Sequence, residues 1–262
     1  MSLLHAWVAQ NRHLLTPEIY ARWEAMQDHH IPHREAQMEA IKKIVGTTSW
    51  RLNEDRLRAL DLGCGPGSLT GRLLRFGKQV WAVGMDADPM LLALAKSMHT
   101  DVADRVVWVE ADFRTTRLAM SEPFQAIVSA TALHWLGPDA LRSLYHRCAE
   151  ALVTGGVLAI ADPLAGESTW RQGMIGYDDR LWKETYPHPG ETWAQFYENL
   201  ANEWPGFGEA MEDFRQRAGL WQGDDNGLPW SFHQAALVEA GFGEPEIYFR
   251  HGRQAVFGAV KR

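Results

Sequence analysis

From residue 56 onward the chain alternates between short apolar runs and stretches of helical spacing. The apolar runs fall at residues 57–62, 79–85, 105–110, 124–128 and 157–161. Each is continuous rather than alternating, the pattern of a strand buried on both faces of a parallel sheet. The intervening stretches place apolar residues three and four apart. Leu141, Leu144, Tyr145, Cys148 and Leu152 share one face of a predicted helix, which Gly155-Gly156 is expected to close. A last helix is predicted over 231–240, stopped by Gly241. The final two runs, 244–250 and 253–260, are separated only by His251-Gly252, so they pair as a hairpin and one strand must run antiparallel. The pattern predicts an α/β, doubly wound sheet of seven strands.

Upstream, residues 1–45 read as helices. Leu3, Leu4, Trp7 and Val8 recur at helical spacing, and Thr16-Pro17 marks a helix start with Ile19, Tyr20 and Trp23 on one face. A third helix is expected over 34–45, followed by a polar stretch at 46–55. His29, His30 and His33 fall between helices. Pro32 interrupts their spacing and no cysteine or acid cluster joins them, so no metal site is expected. The organisation expected is an N-terminal helical lid (1–55), a core (56–163), a cap inserted into the core (164–230), and a closing helix and hairpin (231–262).

The 262 residues suit one α/β domain with an insertion. A net charge of −7 with scattered Arg and Lys excludes an electrostatic case for nucleic acid. No apolar run approaches the ~20 residues needed to span a membrane. The N-terminus shows no basic leader or cleavage site, and two cysteines, Cys64 and Cys148, lack metal spacing; the expectation is a cytoplasmic protein. The insertion holds twelve acids against five bases, which accounts for the whole net charge. It also holds six of the twelve Trp, at 170, 182, 193, 204, 221 and 230.

The first strand ends at Asp61-Leu62, and Gly63-Cys64-Gly65-Pro66-Gly67 leads at once into a helix. Strand, tight turn and helix N-terminus form a ligand site at the carboxyl edge of a parallel sheet. The glycines do not match the dinucleotide spacing, and Asp61 in the mouth of the turn would repel a pyrophosphate but attract a cation. The second strand ends at Asp86, where an acid can accept both hydroxyls of a ribose. Asp88, before Pro89, is the helix N-cap. A third acid, Asp112, follows the third strand and precedes Phe113.

This series resembles the class I S-adenosylmethionine (SAM) methyltransferases, whose first motif reads D-x-G-x-G-x-G. The resemblance covers residues 56–163 and 231–260 and implies a Rossmann-like sheet and SAM as cofactor. It implies that Asp61 and the turn Gly63, Cys64, Gly65 and Gly67 hold the amino-acid end. Asp86, with Ala87 and Met90, would hold the ribose, and Asp112-Phe113 the adenine. Ala130 and Thr131, after the fourth strand, would pass beside the methionine end, with Tyr20 and Trp23 closing over it. The stretch His134-Trp135 is similar to a Gln-Trp pair of the trans-aconitate methyltransferase-like group, with His in place of Gln.

The resemblance further implies that the insertion caps a small-molecule acceptor, with His134, Trp135, Trp170 and Tyr177 lining its pocket. Methyl transfer from a sulfonium needs mainly alignment and desolvation. Where the nucleophile carries a proton, His134 is the candidate general base. The acidic insertion favours an amine or a neutral aromatic over a polycarboxylate. Other SAM chemistry in the same pocket, such as cyclisation of the aminocarboxypropyl chain, and a non-catalytic SAM-binding module remain alternatives. The acceptor and the oligomeric state are not legible.

Overall fold

The computed structural model describes residues 2–188, 190–219 and 227–262. Trp221 and the insertion's acids at 224 and 225 lie outside them. Seven strands form one sheet: β1 (Leu57–Leu62), β2 (Val80–Asp86), β3 (Val106–Glu110), β4 (Phe124–Ala130), β5 (Leu152–Pro163), β6 (Glu246–His251) and β7 (Gln254–Val260). Their order is β3-β2-β1-β4-β5-β7-β6. The first five are parallel, and β7 inserts antiparallel between β5 and β6. The order reverses between β1 and β4, so their carboxyl ends open the crevice in which doubly wound sheets bind ligands.

Among the described residues ten α-helices surround the sheet: α1 (Leu3–Gln10), α2 (Pro17–His30), α3 (Arg34–Leu52), α4 (Ser68–Phe76), α5 (Pro89–Met98), α6 (Pro138–Ala151), α7 (Thr169–Thr185), α8 (Trp193–Glu203), α9 (Phe207–Ala218) and α10 (Trp230–Glu239). One sheet face is covered by α3 and α4, through Met38, Ile41, Val45, Leu69 and Leu73. The other is covered by α6 and α10, through Leu141, Leu144, Tyr145, Ala236 and Leu237. A third cluster lies at the sheet's carboxyl edge. There Leu4, Trp7 and Trp23 of the N-terminal helices meet Phe196, Leu200, Trp204 and Phe207 of the insertion and Leu91 and Leu94 of α5. The stretches read as lid and cap are therefore one packed body.

Two local expectations change and a third holds. The helix expected to end at residue 45 continues to Leu52; Gly46 lets Phe76 approach, and Thr47 and Thr48 satisfy their hydroxyls on the carbonyls of Lys43 and Ile44. That helix covers the sheet and is not part of a lid. Gly155-Gly156 do not close α6. The helix stops at Ala151, and both glycines lie within β5, where Leu152 pairs with Phe124 and Val157 with Ala126, a bulge that takes up the extra residues. The C-terminal stop of α10 is as expected: Gly241 N–H donates to Val238 O and Phe242 N–H to Leu237 O, both at 3.1 Å, a Schellman closure. Among the described residues no helix is long and apolar enough to cross a membrane.

Candidate active site

A cavity of about 1410 Å³ runs from the β1–α4 turn to the insertion. The turn is built by its neighbours. Gly63 and Cys64 N–H both donate to Met85 O, at 2.8 and 3.1 Å. Asp86 Oδ2 accepts from Gly65 N–H at 2.8 Å, and its Oδ1 from Asp88 N–H at 2.9 Å. One carboxylate thus pins the two loops that flank the crevice. Asp88 caps α5 through the N–H groups of Met90 and Leu91, and accepts from Tyr197 Oη of α8 at 2.7 Å. Its carboxyl is pushed up to about 6, first by burial.

Asp61 lines the cavity while only 2 % exposed, and its Oδ2 accepts from Thr70 Oγ1 at 2.5 Å. Burial, with the charge of Asp86 adding to it, pushes its carboxyl up to about 7. A buried acid held this far above its ordinary range suits a cationic ligand. The shift has a consequence for stability. Between its ordinary pKa, roughly 4, and 7, the folded state binds a proton that the unfolded state does not. Stability of the ligand-free protein should therefore fall as pH rises from about 4 through about 7, then level off. Thermal melting from pH 5 to 8 should show this slope reduced in Asp61→Asn; equal slopes in both proteins would refute the assignment.

The other wall is formed after β4. Thr131 takes a left-handed φ of 53°, and a short 3₁₀ turn, Leu133–Trp135, follows. It presents His134, whose Nδ1 lies 2.7 Å from Asp162 Oδ1 at the end of β5. Asp162 Oδ2 accepts from Leu133 N–H at 3.1 Å. The carboxylate on Nδ1 selects the Nδ1–H tautomer and leaves the basic lone pair on Nε2. Asp162 ends an apolar strand as Asp61 and Asp86 do, the one sequence signal that could have marked it.

Of the residues expected to line the site, Trp23, Asp61, Gly63, Cys64, Gly65, Asp86, Ala87, Asp112, Phe113, Ala130, Thr131, His134 and Trp135 do so. Five do not. Gly67 faces protein: an added Cβ would lie 2.5 Å from Trp108 and 2.7 Å from His99 Nε2. Met90 is fully buried in the helical cluster, and Tyr20 turns its ring edge to His99. Trp170 and Tyr177 are 80 % and 54 % exposed, on the outer face of α7. The inner face of α7 brings Trp182 instead, with Tyr186 just beyond it and Trp193 from α8. Asp112 lines the cavity but is paired with Arg114, whose Nη2 lies 2.8 Å away.

The insertion's charge also points elsewhere. Among its described residues only Asp179 and Lys183 line the cavity as acid and base, and Asp179 is paired with Arg253 at 3.2 Å. The acidic excess is mostly an outer face, so it does not bear on the acceptor. The histidines of the α2–α3 connection tie it to the insertion and hairpin. His29 Nε2 accepts from Gly190 N–H at 2.8 Å, and His33 packs against His251 with centroids 3.9 Å apart and the rings tilted by 50°.

Residues 59–156 match the methyltransferase domain family. With the sheet order and the acids at its strand ends, the match means that the chain carries a class I SAM-dependent methyltransferase domain. Its curated relatives include the trans-aconitate 2-methyltransferase of Rhizobium etli, 31 % identical over 149 residues, 56 % of this chain and 51 % of that one. The Streptomyces avermitilis protein of the same name is 27 % identical over 220 residues, 78 % of each chain. The chain spans about half the length of several curated relatives it matches, the Rhizobium protein among them. The magnesium protoporphyrin IX methyltransferase of Synechocystis, solved with bound S-adenosylhomocysteine, shares the fold at a TM-score of 0.52 and 12 % identity, covering 96 % of this chain and 97 % of that one.

The cavity fits SAM on its own chemistry. It offers a buried acid suited to a cation at Asp61, and an acid at the end of β2. At Gly65 the backbone approaches with a φ of 54° that disfavours any side chain.

Proposed function

We propose that the protein transfers a methyl group from SAM to a small organic acceptor held between the 3₁₀ turn and the insertion. The observation that carries this reading is the His134–Asp162 pair on the same cavity as Asp61 and Asp86. SAM supplies a methyl group on a sulfonium, a leaving group already activated. Asp61 balances the ammonium of the cofactor's amino-acid end. Asp86 has carboxylate lone pairs beyond the two it uses on Gly65 and Asp88, and these accept the ribose hydroxyls. Asp112 and Phe113 flank the adenine. Trp135, Trp182, Tyr186 and Trp193 exclude water and hold the acceptor in line with the methyl group. His134 takes the acceptor's proton on Nε2, and Asp162 stabilises the imidazolium that forms.

The aromatic walls favour a planar, largely neutral acceptor such as a phenol or aryl amine. A carboxylate is a second reading, because Lys183 and Arg253 also line the cavity and two relatives are named for trans-aconitate. A carboxylate needs no base, which separates the two readings.

Calorimetric titration of the wild type with SAM should give micromolar affinity, weakened tenfold or more in Asp86→Ala, about 1.4 kcal/mol. Turnover of phenols, aryl amines and trans-aconitate, read as S-adenosylhomocysteine by mass spectrometry, then identifies the acceptor class. Methylthioadenosine as the product would point to cyclisation instead. If SAM failed to bind wild type, alone or with each acceptor present, the proposal would be wrong.

A further inference from the structure

Gln254 opens β7 and lines the cavity, although it is only 6 % exposed. Among the described residues its side-chain amide has no hydrogen-bond partner, and Oε1 is buried and unpaired. Nε2 is unpaired as well but not buried, so it is the end of the amide that meets the cavity. The backbone around it explains the missing partner. Gln254 sits opposite Pro163 of β5 and His251 of β6. Pro163 has no N–H to give, and the N–H of Leu164 is already donated to Arg253 O at 2.8 Å. A buried amide without partners destabilises a fold, and an apolar side chain of the same shape would not. A ligand that accepts from Nε2 would offset that cost.

The position along the sheet says which ligand. The strands run β1-β4-β5-β7, and β7 is antiparallel, so its first residue lies at the carboxyl edge of β5. Neighbouring strands are about 4.8 Å apart, which puts Gln254 three steps, roughly 14 Å, from the strand that leads into the glycine-rich turn. Asp61 and Asp86 lie in β1 and β2 and Asp112 follows β3, all on the side of β4 away from β7. His134 and Asp162 stand between, after β4 and near the end of β5, and Asp162 is the residue before Pro163. The order along this edge is therefore cofactor acids, base, amide.

We infer that Gln254 is an acceptor-binding residue: Nε2 donates to a carbonyl oxygen on the acceptor, on the side away from the nucleophile that His134 deprotonates. This rests on the methyl-transfer reading above and narrows its acceptor to a phenol or aryl amine that also carries a carbonyl group. A neutral amide donor matches a neutral carbonyl, whereas a carboxylate would be drawn to Lys183 and Arg253 on the same cavity.

The test compares phenol and aniline with 3- and 4-hydroxyacetophenone and 3- and 4-aminoacetophenone. Wild type should methylate at least one ketone with a KM about tenfold below that of its parent, the contribution of one good hydrogen bond. Gln254→Met keeps the length of the side chain and removes the amide. It should raise that ketone's KM about tenfold, with the ketone's kcat within threefold, and the parent's KM and the calorimetric SAM affinity within twofold. Its melting temperature should be no lower than that of wild type, because an unpaired buried amide is lost. Gln254→Leu repeats the comparison with a second apolar shape. A lower melting temperature with KM raised alike for ketone and parent would assign Gln254 a structural role and overturn the inference, as would a ketone KM unchanged by both substitutions. A wild type that bound SAM but gained nothing from the carbonyl, or methylated none of these acceptors, would overturn the inference and leave the cofactor reading standing. A wild type that did not bind SAM, alone or with an acceptor, would overturn both.

Discussion

Replacing His134 with alanine should lower kcat for a phenol or amine acceptor by about 10²–10⁴-fold, the usual contribution of a positioned general base. SAM affinity should stay within twofold, because in the proposed arrangement His134 faces the acceptor and the cofactor would be held from the β1–α4 turn and the ends of β2 and β3. Asp162→Asn tests the same pair from the other side. The asparagine amide would donate to His134 Nδ1, forcing the proton onto Nε2, where it blocks proton acceptance. A loss of similar size is expected, again without a change in SAM affinity. The acceptor sets the meaning of the opposite result. A kcat within threefold of wild type in His134→Ala would remove the base from the mechanism and favour a carboxylate acceptor, whose nucleophile carries no proton to lose.

Gly67→Ala should destabilise the protein by about 2–5 kcal/mol. A left-handed backbone costs a non-glycine residue roughly 1–2 kcal/mol, and overpacking a tight site adds about 1–3. Gly67 has a φ of 85°, and its Cβ would fall 2.5 Å from Trp108 and 2.7 Å from His99 Nε2. Both rings are held in place: Trp108 packs on Gly84 of the neighbouring strand, and His99 is buried with Nε2 held to Pro66 O at 3.1 Å. Gly65→Ala makes the contrast. Its φ is 54°, but its Cβ would meet nothing nearer than Trp23 at 3.6 Å, so only the backbone cost of about 1–2 kcal/mol applies. Gly65 lines the cavity, and its substitution should weaken SAM more than it weakens the fold. Urea unfolding and SAM titration of both variants read the two effects separately. Equal stability losses, or a Gly67→Ala protein within 0.5 kcal/mol of wild type, would contradict the packing argument.

The glycine-rich turn shows how far a motif carries. Its position, between an apolar strand and a helix, is legible because strand, turn and helix are neighbours in the chain. The reasons for each glycine are not. Gly65 faces the cavity, but Gly67 makes room for His99 and Trp108, more than thirty residues downstream. His134 shows the same limit. Its place after the fourth strand is local, but its partner, Asp162, comes from the end of the next parallel strand, and only the sheet brings them together.

By itself the sequence determined the order of strands and helices, the acids Asp61, Asp86 and Asp112 at the ends of β1 to β3, and the hairpin that makes one strand antiparallel. Each follows from apolar periodicity or turn chemistry acting over a few residues. Tertiary structure alone decided which way α7 faces. Trp170 and Tyr177 lie on one side of that helix and Asp179 and Trp182 on the other, both sides aromatic and charged, so periodicity cannot choose between them. The choice is made by distant groups: Trp182 Nε1 donates to His29 O at 2.9 Å, and Arg253 pairs with Asp179. The same contacts bring Lys183 and Arg253 to the cavity. They depend on long-range packing between α2, α7 and the β6–β7 hairpin, which no local pattern encodes.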